Sequence, residues 1–245
     1  MSWKCHAGAY CVAMMAAVAQ AGVIHTTHTV VGVPPGAVGD PYLPVHAPGG
    51  PSASDLVHGL LPIATGAGNF QEESSEGLTA LTNGSINTFV GAGSGTDNHA
   101  GYATTGGGIG GQSATYDLGG KFNLTKIVTF GGWADTGRDQ QFYSIWVSAD
   151  GSNFNLLATP PSVNSANPQP NSGGKHAVSH RIETFEDSLP YLATGVTHVR
   201  FDFLGVENGF TGTTEIDVHG VVPEPASLAL GGLAFASLLL TRRRS

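Results

Sequence analysis

Short runs that alternate apolar and polar residues recur through the second half of the chain, and glycine-bearing turns separate them. Ser113 to Leu118 places Ala114, Tyr116 and Leu118 on one side, while Leu124 to Phe130 and Phe142 to Val147 are rich in β-branched and aromatic residues. Within the last of these, Tyr143, Ile145 and Val147 share a face and Phe142 and Trp146 point the other way, because successive strand side chains project to opposite sides. Val199, Phe201 and Phe203 alternate against Arg200 and Asp202, and Ile216 and Val218 against Glu215, Asp217 and His219. Gly119-Gly120, Asp150-Gly151, Gly173-Gly174 and Asn208-Gly209 read as turns, and Asp150-Gly151 between Val147 and Phe154 predicts a hairpin. No stretch of the body holds a helical period. With 36 Gly and 14 Pro among 245 residues, the chain is predicted to be all-β, a sandwich or barrel of short strands.

Charge and cysteine content exclude several classes. The net charge is −8, and the few basic residues are scattered, whereas nucleic-acid binding needs a clustered basic face. Two cysteines cannot build a disulfide framework or a four-cysteine zinc site. Few Glu, Lys and Leu among so much Gly and Pro exclude a coiled coil.

Both ends read as addresses. Lys4, an uncharged stretch from Ala7 to Ala19 and the exit Ala19-Gln20-Ala21 have the three-part form of a cleavable secretory signal over residues 1–21. Cys5 and Cys11 lie inside it, so cleavage after Ala21 leaves a chain without thiols. At the other end, Pro223-Glu224-Pro225 precedes an apolar run from Ala226 to Thr241 and then Arg242, Arg243 and Arg244. Sixteen residues rise ~24 Å as a helix, short of a hydrocarbon core of ~30 Å, so a membrane span here is marginal. The arginines would stay on the cytoplasmic side and leave the body outside. This tail, residues 222–245, resembles the PEP-CTERM sorting signal. The resemblance implies processing by an exosortase-type membrane protease, with export to the cell envelope, surface or extracellular matrix and transient anchoring in the inner membrane.

Between the addresses, residues 22–51 carry Pro34, Pro35, Pro41, Pro44, Pro48 and Pro51 and are expected to form an extended leader outside the packed core. His25-Thr26-Thr27-His28 has metal-like spacing but no third ligand nearby, and reads as solvated histidines. The Gly91–Gly111 stretch superficially suggests a phosphate loop; it lacks the Lys-Ser/Thr pair and a following helix, and reads as a surface loop.

Three blocks in order carry a second resemblance: Leu81-Thr82-Asn83-Gly84-Ser85-Ile86-Asn87-Thr88-Phe89; then Tyr116 through Phe154, including Arg138 and Val147-Ser148-Ala149-Asp150-Gly151-Ser152; then Val199 to Phe203 and Glu215 to Gly220. Together they resemble the discoidin (coagulation-factor type C) group of galactose-binding-like domains. The resemblance implies a jelly-roll β-sandwich over residues 52–220, many of whose members bind sugars or lipid head groups through loops at one end. It also implies a structural calcium at Asn83, Thr88 and Glu215. Asn83 stands where the family has Asp, which removes one charge from a cation that favours carboxylate oxygens. Asn-Gly as a plain turn and Glu215 as a strand-edge cap are the alternative.

Sugar recognition needs an aromatic face and planar polar groups. Trp133, Asp135, Arg138 and Asp139 supply these in one loop, and Glu207, Asn208 and Phe210 in another. The same residues could instead cover the core and pin the loops by ion pairs. Three functions follow: a non-enzymatic surface module binding exopolysaccharide or envelope glycan, a displayed matrix protein without a sugar site, and a glycosidase. The last needs two carboxylates at a set spacing, and no nucleophile elbow or H-E-x-x-H motif offers other hydrolytic chemistry. The expectation is the first, with no catalytic residues.

Overall fold

A computed structural model describes residues 22–32, 41–72, 75–89, 101–106, 112–133, 139–163, 177–204 and 211–224. The secretory signal, Pro225 and the apolar run with Arg242, Arg243 and Arg244 lie outside the described residues. Among the described residues no helix is long and apolar enough to cross a membrane. In chain order the strands are β1 Val23–Gly32, β2 Pro41–Tyr42, β3 Ala64–Thr65, β4 Thr88–Phe89, β5 Ala103–Thr105, β6 Ser113–Trp133, β7 Tyr143–Ser148, β8 Asn155–Ala158, β9 Ala177–Glu186, β10 Ala193–Phe203 and β11 Thr211–Val221. A 3-10 turn, Gly77–Leu81, precedes β4.

The organising element is β6. Its first half pairs with β10, which continues to β7 and β8; its second half lies between β9, leading to β1, and β11, leading to β5. Every pairing is antiparallel. The two halves therefore belong to two layers, and their apolar sides meet: Tyr116, Ile127, Ile182, Val199, Phe201, Ile216 and Val218 form one buried cluster. Phe201 alone, wholly out of solvent, contributes about 1.5–3 kcal/mol of burial. The expected turn at Gly119-Gly120 is a bend within one continuous strand. Gly119 takes φ +72, open to glycine and strained for other residues, and the opposite strand slips register between Ala193 and His198. The hairpin at Asp150-Gly151 forms as expected, with Asp150 Oδ1 accepting the Ser152 and Asn153 N–H groups at 2.9 and 2.8 Å.

The second layer is packed on its far face too. Phe130 and Val128 of β6, Arg181 and Glu183 of β9, and Glu215 and Asp217 of β11 share that face by alternation. Chain from residues 42–57 and 82–88 crosses it, placing Ile86 against Val128 and Phe130 and the His46 ring 5.5 Å from the Phe130 ring. Residues 22–32 and 41–51, from the stretch expected as a leader outside the body, thus enter it. β1 pairs with β9 over its whole length, and Tyr42 and His46 are buried. The reason is local, since Val23 to Val31 is a β-branched run free of proline, and the prolines begin only at Pro34. His25 and His28 are not free in solvent. They lie on opposite faces of β1, His25 Nδ1 3.0 Å from Thr184 Oγ1 and His28 Nδ1 2.9 Å from His46 Nδ1, so they cannot share an ion within one chain.

Candidate functional site

Two places hold residues singled out in the sequence. The first is the end of the sandwich where β6 and β1 finish and β7, β9 and β11 begin. Trp133 is the last residue of β6, its backbone opposite Val178. Asp135 and Arg138, and Glu207, Asn208 and Phe210, lie outside the described residues, but the residues that flank both segments are described. These flanks touch. The Thr211 hydroxyl donates to the Gln140 carbonyl, and Gln141 Nε2 reaches the Gly212 carbonyl at 3.2 Å. Gln141 fits because it lies over Gly131, where a Cβ would stand 1.8 Å from the amide nitrogen.

Asp139 was expected on a ligand loop with Asp135 and Arg138. Instead it is wholly buried, with Oδ2 3.3 Å from His180 Nε2; the other ring nitrogen of His180 is 2.8 Å from Thr29 Oγ1. It lies beneath the surface of this end. Gln141 and His180 carry no motif. Their only sequence signal is Gly131-Gly132, which leaves room for polar side chains at the mouth of the layer.

The second place is a carboxyl cradle on the far face of the second layer. Glu215 Oε2 accepts the Gly84 and Ser85 N–H groups at 2.7 and 3.3 Å, while Oε1 is buried without a hydrogen-bond partner. Asp217 Oδ2 accepts the Ser52 N–H at 3.0 Å and leaves Oδ1 unpartnered; Thr88 Oγ1 is buried and unpartnered as well. Burial, together with the neighbouring charge of Asp217, pushes the Glu215 carboxyl up to about 9. Burial likewise raises Asp217 to about 7, with Asp55 adding to it against the Ser52 hydrogen bond. Asn83, the third residue of the expected calcium set, is turned away: its Oδ1 accepts the Ser85 N–H at 2.8 Å and its Nδ2 donates to Glu76 Oε1 at 3.2 Å.

The chemistry of the cradle fits a hard cation. Glu215 Oε1 and Thr88 Oγ1 are buried oxygens with free lone pairs, and an ionised carboxyl in such a place needs a positive partner or a proton. Among the described residues no group of three His, Cys, Asp or Glu converges to hold a metal by side chains alone, so carbonyl oxygens would have to complete a shell. A cavity of about 290 Å³, lined by Pro44, Val45, His46 and the Gly84–Asn87 loop, leads to the backbone that holds Glu215.

Comparison with known proteins bears on the two parts of the chain differently. No curated protein matches the chain. Among solved structures, a CBM32 module of Clostridium perfringens in complex with GalNAc-β-1,3-galactose is similar at 23% identity, over 44% of this chain and 66% of that one, with a TM-score of 0.28. The chain thus spans slightly under two thirds of that module. A pectin-binding carbohydrate-binding module is similar at 18% identity over 51% of this chain and 75% of its own, TM-score 0.33. Chitosan-binding module 1 of a chitosanase/glucanase from Paenibacillus sp. IK-5 is similar at 14% identity over 68% and 99%, TM-score 0.40. At these scores the sandwich rests on its own strand pairing. At the carboxyl end the family model of the PEP-CTERM protein-sorting motif matches residues 221–244, beginning on the last residue of β11 and including Pro223, Glu224 and Pro225. Residues 221–244 are a PEP-CTERM protein-sorting motif, and they mark an exported, surface-sorted chain whose body is an all-β sandwich.

Proposed function

We propose that the chain is a non-enzymatic surface module that binds a carbohydrate of the exopolysaccharide or envelope through the end of the sandwich at Trp133. The observation that supports this reading is the contact between the two loop flanks. Thr211 and Gly212 are tied to Gln140 and Gln141, so the described flanks of the two stretches that carry the nominated residues lie side by side. An aromatic from one stretch and planar polar groups from the other are what a sugar face and its hydroxyls require. Among the described residues of this end, Asp139 is buried with Oδ2 3.3 Å from His180 Nε2, a poor position for one of the two carboxylates that glycosidase work needs.

In the same reading the sorting segment is processed by an exosortase-type protease after transient insertion of residues 226–241 in the inner membrane, Arg242 to Arg244 remaining inside. Glu215 and Thr88 hold a structural calcium, which neutralises the cradle and stiffens the 84–88 loop. Retention on the host's polysaccharide, compared between the unaltered chain and Trp133→Ala, tests the binding end. Loss of retention in Trp133→Ala is expected. Equal retention by both sinks the site, and retention by neither favours a displayed matrix protein without a sugar site.

A further inference from the structure

β1 is the outermost strand of the second layer. Among the described residues it pairs only with β9, in unbroken register from Val23 opposite Glu186 to Gly32 opposite Ala177. Sheet edges are ordinarily blunted by short length, charge, proline or bulges, because their free N–H and C=O groups invite another strand. Other edges of this fold follow that rule: β5 has three residues, and β8 has four and slips register against β7. β1 does not. It runs ten residues without Asp, Glu, Lys, Arg or Pro, and Val23, Ile24, Thr26, Thr27, Thr29, Val30 and Val31 are β-branched.

The sequence of this edge says what fits it. About Thr27 the strand is nearly symmetric: Thr26 matches His28, His25 matches Thr29, Ile24 matches Val30 and Val23 matches Val31. Two antiparallel copies related by a two-fold axis normal to the sheet must place side chains of the same face opposite one another, so the axis has to pass through a residue position. Centring on Thr27 sets Thr27 against Thr27, polar against polar in the middle, and Ile24 against Val30 at both ends. Centring on Thr26 sets Ile24 against His28 and Val23 against Thr29. Centring on His28 sets Thr26 against Val30 and His25 against Val31. Only the Thr27 axis matches every pair, and no charge meets a charge.

We propose that two copies of the chain join through their β1 edges, antiparallel about Thr27, so that the two second layers become one continuous sheet. The Tyr42 hydroxyl donates to the Val30 carbonyl at 3.0 Å and caps the strand there, which bounds the pairing at Ile24 and Val30. Each copy uses its edge once, so the assembly closes as a dimer and does not extend.

The test uses the full-length chain with Cys5 and Cys11, its only cysteines, replaced by serine. Directly opposite Cα atoms in an antiparallel pair lie about 4.5–5.5 Å apart, within disulfide reach. Thr27→Cys is therefore expected to form a covalent dimer under mild oxidation. Val31→Cys, also exposed, at 50%, but far from its own copy in this register, should not. Thr27→Lys places two like charges on the axis and is expected to sediment at the monomer mass, half that of the unaltered chain, with an unchanged far-ultraviolet circular dichroism spectrum. Cross-linking of Val31→Cys as efficient as that of Thr27→Cys, a monomeric unaltered chain at 100 micromolar, or an assembly larger than two copies that survives Thr27→Lys would overturn the proposal.

Discussion

The backbone N–H of Gly84 donates to Glu215 Oε2 at 2.7 Å, across a separation of 131 residues, and pins a loop onto the far face of the sheet through a carboxyl that has no solvent. The other oxygen of that carboxyl is buried without a hydrogen-bond partner.

Glu215 and Asp217 take up protons on folding, because their folded-state values, about 9 and about 7, lie above the ordinary values of 4.5 and 3.8. The stability they confer is complete below the ordinary values and is lost as pH rises through the folded ones, by up to about 1.4 kcal/mol per pH unit for each proton. Without calcium, the melting temperature is expected to fall steadily from pH 5 to pH 9. Glu215→Gln, which imitates the protonated carboxyl, should flatten the part of this curve between pH 7 and pH 9. An unchanged slope in the variant would contradict the assignment.

The proposed calcium would act on the opposite form. It would compete with the proton for Glu215, so added calcium is expected to raise the melting temperature more at pH 8 than at pH 5, and a chelator to reverse the gain. Glu215→Gln and Thr88→Val are each expected to abolish the response. Calorimetric scans with and without chelator decide this. If the chelator changes nothing at pH 8, the cradle holds protons only.

His46 has the reverse sign. Burial, then the charges of His28, Arg181 and His180, push its imidazole down to about 4, so the folded state keeps it neutral. The stability this gives is present above about 6.5 and is lost as pH falls towards 4. Chemical denaturation across that range should show the loss, and His46→Gln should remove it while leaving the alkaline limb intact.

Gly131→Ala should loosen the loop end. The added Cβ would stand 1.8 Å from the Gln141 amide, which must move and give up its bonds to Gly212 and Thr211. A loss of about 1–3 kcal/mol in urea unfolding is expected, together with weaker polysaccharide retention. Full stability with full retention would remove Gln141 from the account of this end.

Alternation made the inner core readable in advance: Val199, Phe201 and Phe203 face the core, and the Asp150-Gly151 hairpin closes where its residue types require. Gly119-Gly120 misled, because a glycine pair marks a turn and a strand bend alike, and only the partner strand β10 distinguishes them. β1 escaped notice since threonine and histidine give no apolar period, although their β-branching suits an edge. Glu215 entered through family resemblance, and its unsatisfied oxygen could not be foreseen without the 84–85 loop above it. The inward turn of Asp139 depends on His180, 41 residues away on another strand.

β11 starts at Thr211, at the proposed binding end, and runs eleven residues to Val221, where the sorting segment takes over. While a chain is tethered by its tail and held at its loops, tension runs lengthwise along this strand. β11 has β6 on one side over most of its length and β5 beside its start, so such a pull strains its cross-strand bonds together, in shear, instead of peeling them one at a time. A pull between the two ends would thereby load a strand that spans the sandwich from the loop end to the sorting segment.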